Sequence, residues 1–212
     1  MKFLIFLLFF ISSLALAGTT SDSYSGVPIQ IGPGSTVFRA ADFDKGGEGI
    51  AYHDNTSGNC TLGTPGCPAN GGVYRTLEDV DIYGCGNATQ ANYCITSTDT
   101  GEWLQYTIQV QDIGSYTIEL LVAIGTGCPD CLTAAYHVEV DGKAYRSNLL
   151  MPLTTDWSTF DWRGKSELIP MVPGIHKLKI VIDQHWFGWD SIRITKAGWI
   201  DWIYTPVWRT VQ

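Results

Sequence analysis

Two glycine pairs, Gly46-Gly47 and Gly71-Gly72, punctuate a stretch from Ala41 to Ile82 that is dense in Asp, Glu, Tyr and His. Glycine pairs mark tight turns, and turns held by a rigid scaffold are where binding side chains collect. Polar groups beside aromatic rings suit a ligand with many hydroxyls and apolar ring faces, as a sugar has. Acid–base chemistry is the competing use of the same residues. A glycosidase needs two carboxyl groups about 5 to 10 Å apart, and Glu48, Glu78, Asp79 and Asp81 are acidic and close to turns. With 21 acidic residues in the chain, such pairs arise without any catalytic purpose. No Gly-x-Ser-x-Gly elbow is present for an esterase. His53, His137, His176 and His185 show no metal spacing, and His137 and His176 fall in predicted strands, where surface positions are expected.

Those side chains need a scaffold, and alternation of apolar and polar residues supplies one. It predicts strands over Trp103–Val110, Ser115–Val122, Ala135–Val140, His176–Ile182 and Trp189–Thr195. Asp141-Gly142 closes the third of these as a hairpin turn. No helical period exceeds two turns and no internal repeat is visible. Short strands with regular turns predict an all-β fold, a sandwich or barrel.

The chain ends and cysteines set the setting. Lys2, the apolar run Phe3–Phe10 and Ala15-Leu16-Ala17 read as a secretory signal over residues 1–17. The apolar run is too short for a membrane anchor, so a secreted, soluble protein is expected. Residues 18–34, rich in Ser, Thr, Gly and Pro, read as a flexible lead-in. The remaining length suits one sandwich. Net charge is −8, one unit more negative without Lys2, and no basic run exists. Nucleic acid and anionic membranes are therefore poor partners. Six cysteines form sequence-local pairs, Cys60/Cys67, Cys85/Cys94 and Cys128/Cys131. Six cysteines allow fifteen pairings, but in an exported chain short loops favour three local disulfides. Cys128-Pro-Asp-Cys131 lacks the second ligand pair that zinc needs. Sequons at Asn55, Asn59 and Asn87 are candidate N-glycan sites.

Taken in order, seven segments resemble the family 6 carbohydrate-binding modules over about residues 36–195: Ala41–Asp54 from the opening stretch, then Thr100–Thr107, Gly114–Thr117, His137–Gly142, Thr155–Phe160, Val172–Leu178 and Phe187–Ile192. The resemblance implies a β-sandwich of jelly-roll type over residues 35–195. It implies a ligand cleft among the loops, where a sugar is clamped between a Tyr and a Trp with an acidic helper. By motif position these are Tyr74, Trp157 and Glu48. The family's Asn falls at Gly188, so His185 or Trp186 is expected to reach into its place. A second cleft on the concave face of one sheet is used by some members and maps onto no residue by motif. The family's structural calcium is held by two early Glu and a late Asp. Here the early segment is Arg39-Ala40-Ala41 while Asp190 remains, so the calcium is expected to be lost, no cofactor is expected, and Arg39 is expected to pair with Asp190.

The resemblance further implies a non-catalytic binder of a polysaccharide, since its pattern leaves no room for a catalytic domain. The wording Gly46–Asp54 looks most like modules of laminarinases and agarases, so a β-1,3-glucan or agar-type galactan leads, with xylan and cellulose open. A small secreted glycoside hydrolase and a structural wall or matrix protein are the alternatives. Residues 196–212 carry Trp199, Trp202, Tyr204 and Trp208. This aromatic flank is expected to pack back beside residues 26–38, with self-association as the rival use.

Overall fold

The computed structural model describes residues 20–60, 74–85, 93–126 and 133–198. The early strands are short: β1 (Ile29–Ile31), β2 (Ser35–Arg39), β3 (Tyr52–His53), β4 (Ile82–Tyr83) and β5 (Cys94–Ile95). The long ones follow, β6 (Trp103–Val110), β7 (Gly114–Ala123), β8 (Ala134–Val140) and β9 (Lys143–Met151). Then come β10 (Asp161–Arg163), β11 (Ile169–Met171), β12 (Gly174–Gln184) and β13 (Gly188–Lys196). The helical content of the described residues is one 3-10 turn, Ala40–Asp42.

Two sheets form a sandwich. One runs β1-β6-β12-β8-β9 with β3 beside β6; the other runs β10-β7-β13-β5-β4 with β11 beside β7 and β2 beside β13. Alternation decides which face each strand buries. In β6, Leu104, Tyr106, Ile108 and Val110 point into the core while Trp103, Gln105 and Gln109 keep partial exposure. In β12, Leu178, Ile180 and Ile182 do the same opposite Lys177 and Lys179. The inner faces meet around Trp189 and Tyr106, whose rings lie edge to face 6.3 Å apart. Asp141 and Gly142 both take positive φ, 51° and 77°. That is the backbone a two-residue β-hairpin demands, and it joins β8 to β9.

Two expectations need revision or restriction. The described part of the lead-in is no loose leader. β1 pairs in parallel with β6, and Ser21 and Ser23 are buried. Lys177 Nζ donates to the Ser21 carbonyl (2.5 Å), to Ser21 Oγ (2.8 Å) and to Asp44 Oδ2 (3.1 Å). A charge-assisted network of this kind fixes the segment to the sheet. Of the expected disulfides, Cys85–Cys94 is formed, with Cα atoms 5.6 Å apart, tying the end of β4 to β5. Cys60 is disulfide-bonded, and Cys67, Cys128 and Cys131 lie outside the described residues. So do the signal segment 1–17, Asn87 and the aromatic positions 199–212.

The strand registers put the segments before β6, between β7 and β8, between β9 and β10, and between β12 and β13 at one end of the sandwich. The turns after β6, β8 and β11 lie at the other.

Candidate functional site

At the loop end, Trp157 is built to present a ring. Its loop is anchored by Thr154, whose backbone N–H donates to the Ile124 carbonyl (3.0 Å) and whose Oγ1 accepts from Ile124 N (2.8 Å). Asp156 Oδ1 accepts from both the backbone N–H and the hydroxyl of Ser158, each at 2.8 Å. These bonds hold the Asp156 carboxyl below its ordinary pKa. The indole rests on Gly125, where a Cβ would sit 2.3 Å from its Cδ1. Only a glycine lets the ring lie that close. Trp157 remains 44% exposed, more than any other aromatic among the described residues.

Beside it, Gly188 opens β13 opposite Ala123. A side chain there would meet Phe160, 3.6 Å from the Cβ position. His185 and Trp186 are half-buried in the preceding loop, their rings 5.8 Å apart. Thr98 fixes that loop, since Phe187 N donates to Thr98 Oγ1 and Thr98 Oγ1 reaches the Phe187 carbonyl, both at 3.0 Å. His185 Nδ1 stands 3.3 Å from Asp99 Oδ1.

Tyr74 occupies a different kind of place. Its ring stacks on Tyr93 at 4.7 Å and 11°, and Arg39 Cζ stands 5.8 Å from its centroid. Its hydroxyl hydrogen-bonds with the Tyr24 hydroxyl and with Asp42 Oδ1 (3.0 Å). Burial, then the hydrogen bond to Tyr24 and the charge of Asp42, push its pKa far up, so it stays a neutral phenol. With one face on Tyr93 and a guanidinium near, Tyr74 offers little free ring. It is partly buried and packs against the core.

Glu48 stands at the rim of the six-stranded sheet. Its Oε1 lies 2.5 Å from His53 Nδ1 and its Oε2 accepts from Asp54 N (3.1 Å). His53 faces Trp103 across the β3–β6 pairing. From there a polar row crosses the solvent face. Lys179 Nζ lies 4.1 Å from the Trp103 ring centroid and 3.5 Å from Glu139 Oε2. His137 Nδ1 lies 2.7 Å from Asp183 Oδ1, and Asp183 Oδ2 accepts from Asn148 N at 2.7 Å. Reading by motif passed over this face. Period-two alternation could have found it, because it already puts Trp103, Lys179 and His137 on the outer side.

A seam of carboxylates links the two places. Glu102 accepts from Asn55 N (3.1 Å) and from Asp99 N (2.8 Å). Gly58 N donates to Asp79 and Cys60 N to Asp81, at 2.8 and 2.5 Å. Burial, followed by the charge of Asp54, lifts Glu102 to about 8. Burial, with a smaller push from Asp54, lifts Asp81 to about 6. Raised carboxyl pKa values are what an acid catalyst needs, but these carboxylates are engaged by backbone N–H groups of Asn55, Cys60 and Asp99.

The arginine expectation is overturned. Arg39 Nε and a terminal nitrogen fork onto Asp42, at 2.8 and 2.9 Å, three residues away and well within reach of one turn. Asp190 is buried, with Oδ2 accepting from Ser191 Oγ (2.8 Å) and Oδ1 lacking a partner among the described residues. Burial raises its pKa against the Ser191 bond and the charge of Arg39. Its oxygen and the sulfurs of Cys85 and Cys94 lie within 4.8 Å of one another. Those sulfurs are joined in a disulfide and are not thiolate ligands. Among the described residues, one carboxylate beside a disulfide, with an arginine near, is a poor fit to the six to eight oxygens that calcium takes.

A family model described as "Carbohydrate binding module (family 6)" matches residues 73–196. Among solved structures the chain is similar to CsCBM6-3 from Clostridium stercorarium in complex with cellobiose, at 11% identity over 81% of this chain and 99% of that one, TM-score 0.53. It is similar to a family 6 module studied by binding sub-site dissection, at 12% identity over 81% and 99%, TM-score 0.50. It also matches CBM6cm-2 from Cellvibrio mixtus lichenase 5A in complex with cellotriose, at 22% identity over 56% and 88%, TM-score 0.47. At these identities the likeness is one of fold. A search of curated protein sequences finds no match.

Proposed function

Because the chain belongs to family 6 of the carbohydrate-binding modules, we propose that it is a secreted, non-catalytic protein that binds a polysaccharide at the loop end of its sandwich, with Trp157 as the stacking platform. The observation that carries the reading is the geometry of that ring: one side seated on Gly125, the residue 44% exposed, the loop pre-ordered by Thr154 and Asp156. A pyranose presents axial C–H groups to such a face, and a rigid ring costs little entropy to engage. His185 and Trp186, on the neighbouring loop, stand beside the position that Gly188 leaves without a side chain. Glu48 and Tyr74 support the scaffold here, Glu48 by holding His53 and Tyr74 by packing its turn.

The ligand class to test first is a β-glucan or an agar-type galactan. The cellobiose bound by the C. stercorarium module adds cello-oligosaccharides to that set. Non-catalytic action is supported by the use of Glu102, Asp79 and Asp81 as backbone acceptors. Binding without calcium is supported by the donor set around Asp190. Calorimetry and affinity electrophoresis on laminarin, agarose, xylan and cello-oligosaccharides test the reading, with a reducing-sugar assay alongside. Binding without sugar release is the expected outcome. Release of sugar, or no binding to any glycan, would remove it.

A further inference from the structure

Two sequons lie four residues apart on one loop, and the fold treats their asparagines in opposite ways. Asn55 is exposed, and its Nδ2 donates a single hydrogen bond, 3.1 Å, to the Thr100 carbonyl. Asn59 is 8% exposed and used on every side. Its Nδ2 donates to the Tyr74 carbonyl at 2.7 Å, its Oδ1 accepts from Ile82 N at 3.0 Å, and its backbone N–H donates to the Glu78 carbonyl at 3.2 Å. The next residue, Cys60, is disulfide-bonded, and its N–H is taken by Asp81. Asn59 is therefore the amide that ties the loop to both flanks of the Tyr74–Ile82 segment.

We propose that Asn55 is the N-glycan acceptor on this loop and that an Asn59 glycan and the native fold exclude each other. In the transfer, the Asn55 amide nitrogen forms a bond to C1 of the first sugar of a lipid-pyrophosphate-linked oligosaccharide. The C1–oxygen bond breaks, the lipid pyrophosphate leaves with its electron pair, and one amide proton is released. One N–H stays on Asn55, so a donor for the Thr100 carbonyl is retained on the exposed side chain. At Asn59 the hydrogen count would also allow transfer, but a sugar needs room that a buried side chain lacks. Expelling that side chain would strand Ile82 N and the Tyr74 carbonyl, buried backbone groups that need partners.

The inference rests on the protein being exported, and the experiment separates the two questions. The full chain is expressed in a eukaryotic secretory host, and recovery from the medium reports export by itself. Folded, monodisperse protein is then deglycosylated enzymatically in heavy-oxygen water, which labels every formerly occupied asparagine. Label at Asn55 and none at Asn59 is expected. Ser57→Ala, which removes the first sequon without touching Asn55, should lose one glycan mass. Thr61→Ala, which removes the second without touching Asn59, should leave the mass unchanged. Label at Asn59 in folded protein, or an unlabelled Asn55 in exported protein, overturns the proposal.

Discussion

Two tryptophans mark two regions of this sandwich, and they differ in what lies against the ring. Trp157 sits on a glycine at the loop end with much of its indole open. Trp103 opens β6 on the solvent face of the six-stranded sheet, where Lys179 stands over it at 4.1 Å and Glu139 holds the lysine. A cation over a ring face is attracted to the same electron density that a sugar's C–H groups would use. The sheet face thus satisfies itself, with charges paired across strands β12 and β8. The loop end leaves its ring open, and the function proposed above assigns the ligand to that open ring. That residue type alone does not make a site, and that neighbours decide, is the lesson of the pair.

The largest effect should come from removing the open ring. Trp157→Ala should cost about 2 kcal/mol or more of glycan binding, about 30-fold in Kd by calorimetry, with an unchanged melting temperature. Trp103→Ala should change the same Kd by less than about threefold. If the two results exchange places, the sheet face is the site. Seating matters next. Gly125→Ala puts a methyl where the indole lies and should tilt the ring, weakening binding about tenfold while circular dichroism stays the same. No loss would mean that the Trp157 loop adapts and is not pre-ordered. A smaller change tests the cover on the other ring. Lys179→Gln should raise quenching of tryptophan fluorescence by the neutral quencher acrylamide and leave glycan affinity within about twofold. A large fall in affinity would move recognition to the polar row between His53 and Asp183.

The smallest effect is one of pH on stability, and it lies outside both rings. Burial works to lower the His176 pKa, but hydrogen bonds from its two ring nitrogens to Asp141 Oδ2 (2.7 Å) and the Val172 carbonyl (2.8 Å) outweigh it and raise the value above 6.5. Glu102 is raised from 4.5 to about 8, first by burial and then by Asp54. In both cases the native state keeps a proton that the unfolded chain releases sooner. Stability from each group is therefore full below its unfolded pKa and lost as pH rises through the folded one. Melting temperature should decline as pH rises from about 4.5 to about 8. Glu102→Gln should flatten that slope between about 4.5 and about 8, and His176→Gln only the part above 6.5. Glycan affinity at fixed pH should be the same for both variants, since neither side chain touches Trp157. A melting temperature that rises over this range would show the proton balance to be the reverse.

Much of the scaffold was legible because the signal for a strand is local. Alternation predicted Trp103–Val110 residue for residue, and the predicted runs Ser115–Val122, Ala135–Val140, His176–Ile182 and Trp189–Thr195 all fall inside β7, β8, β12 and β13. The Asp141-Gly142 turn and the Cys85–Cys94 staple are equally short-range, each needing a few consecutive residues to meet. Motif order led from there to the family. Partner choice was not legible in the same way. Arg39 had Asp42 one turn away and Asp190 across the sheet, and the nearer carboxylate won. Tyr74 met Tyr93 and Tyr24, which the linear order keeps apart. Ser21 was drawn into the fold by Lys177, a residue from a strand near the far end of the chain. The sequence by itself determined which side chains face in and which face out, since that follows from a period of two. Only the tertiary structure decided which outward ring stays open, because that depends on whether a segment distant in sequence places a glycine or a lysine against it.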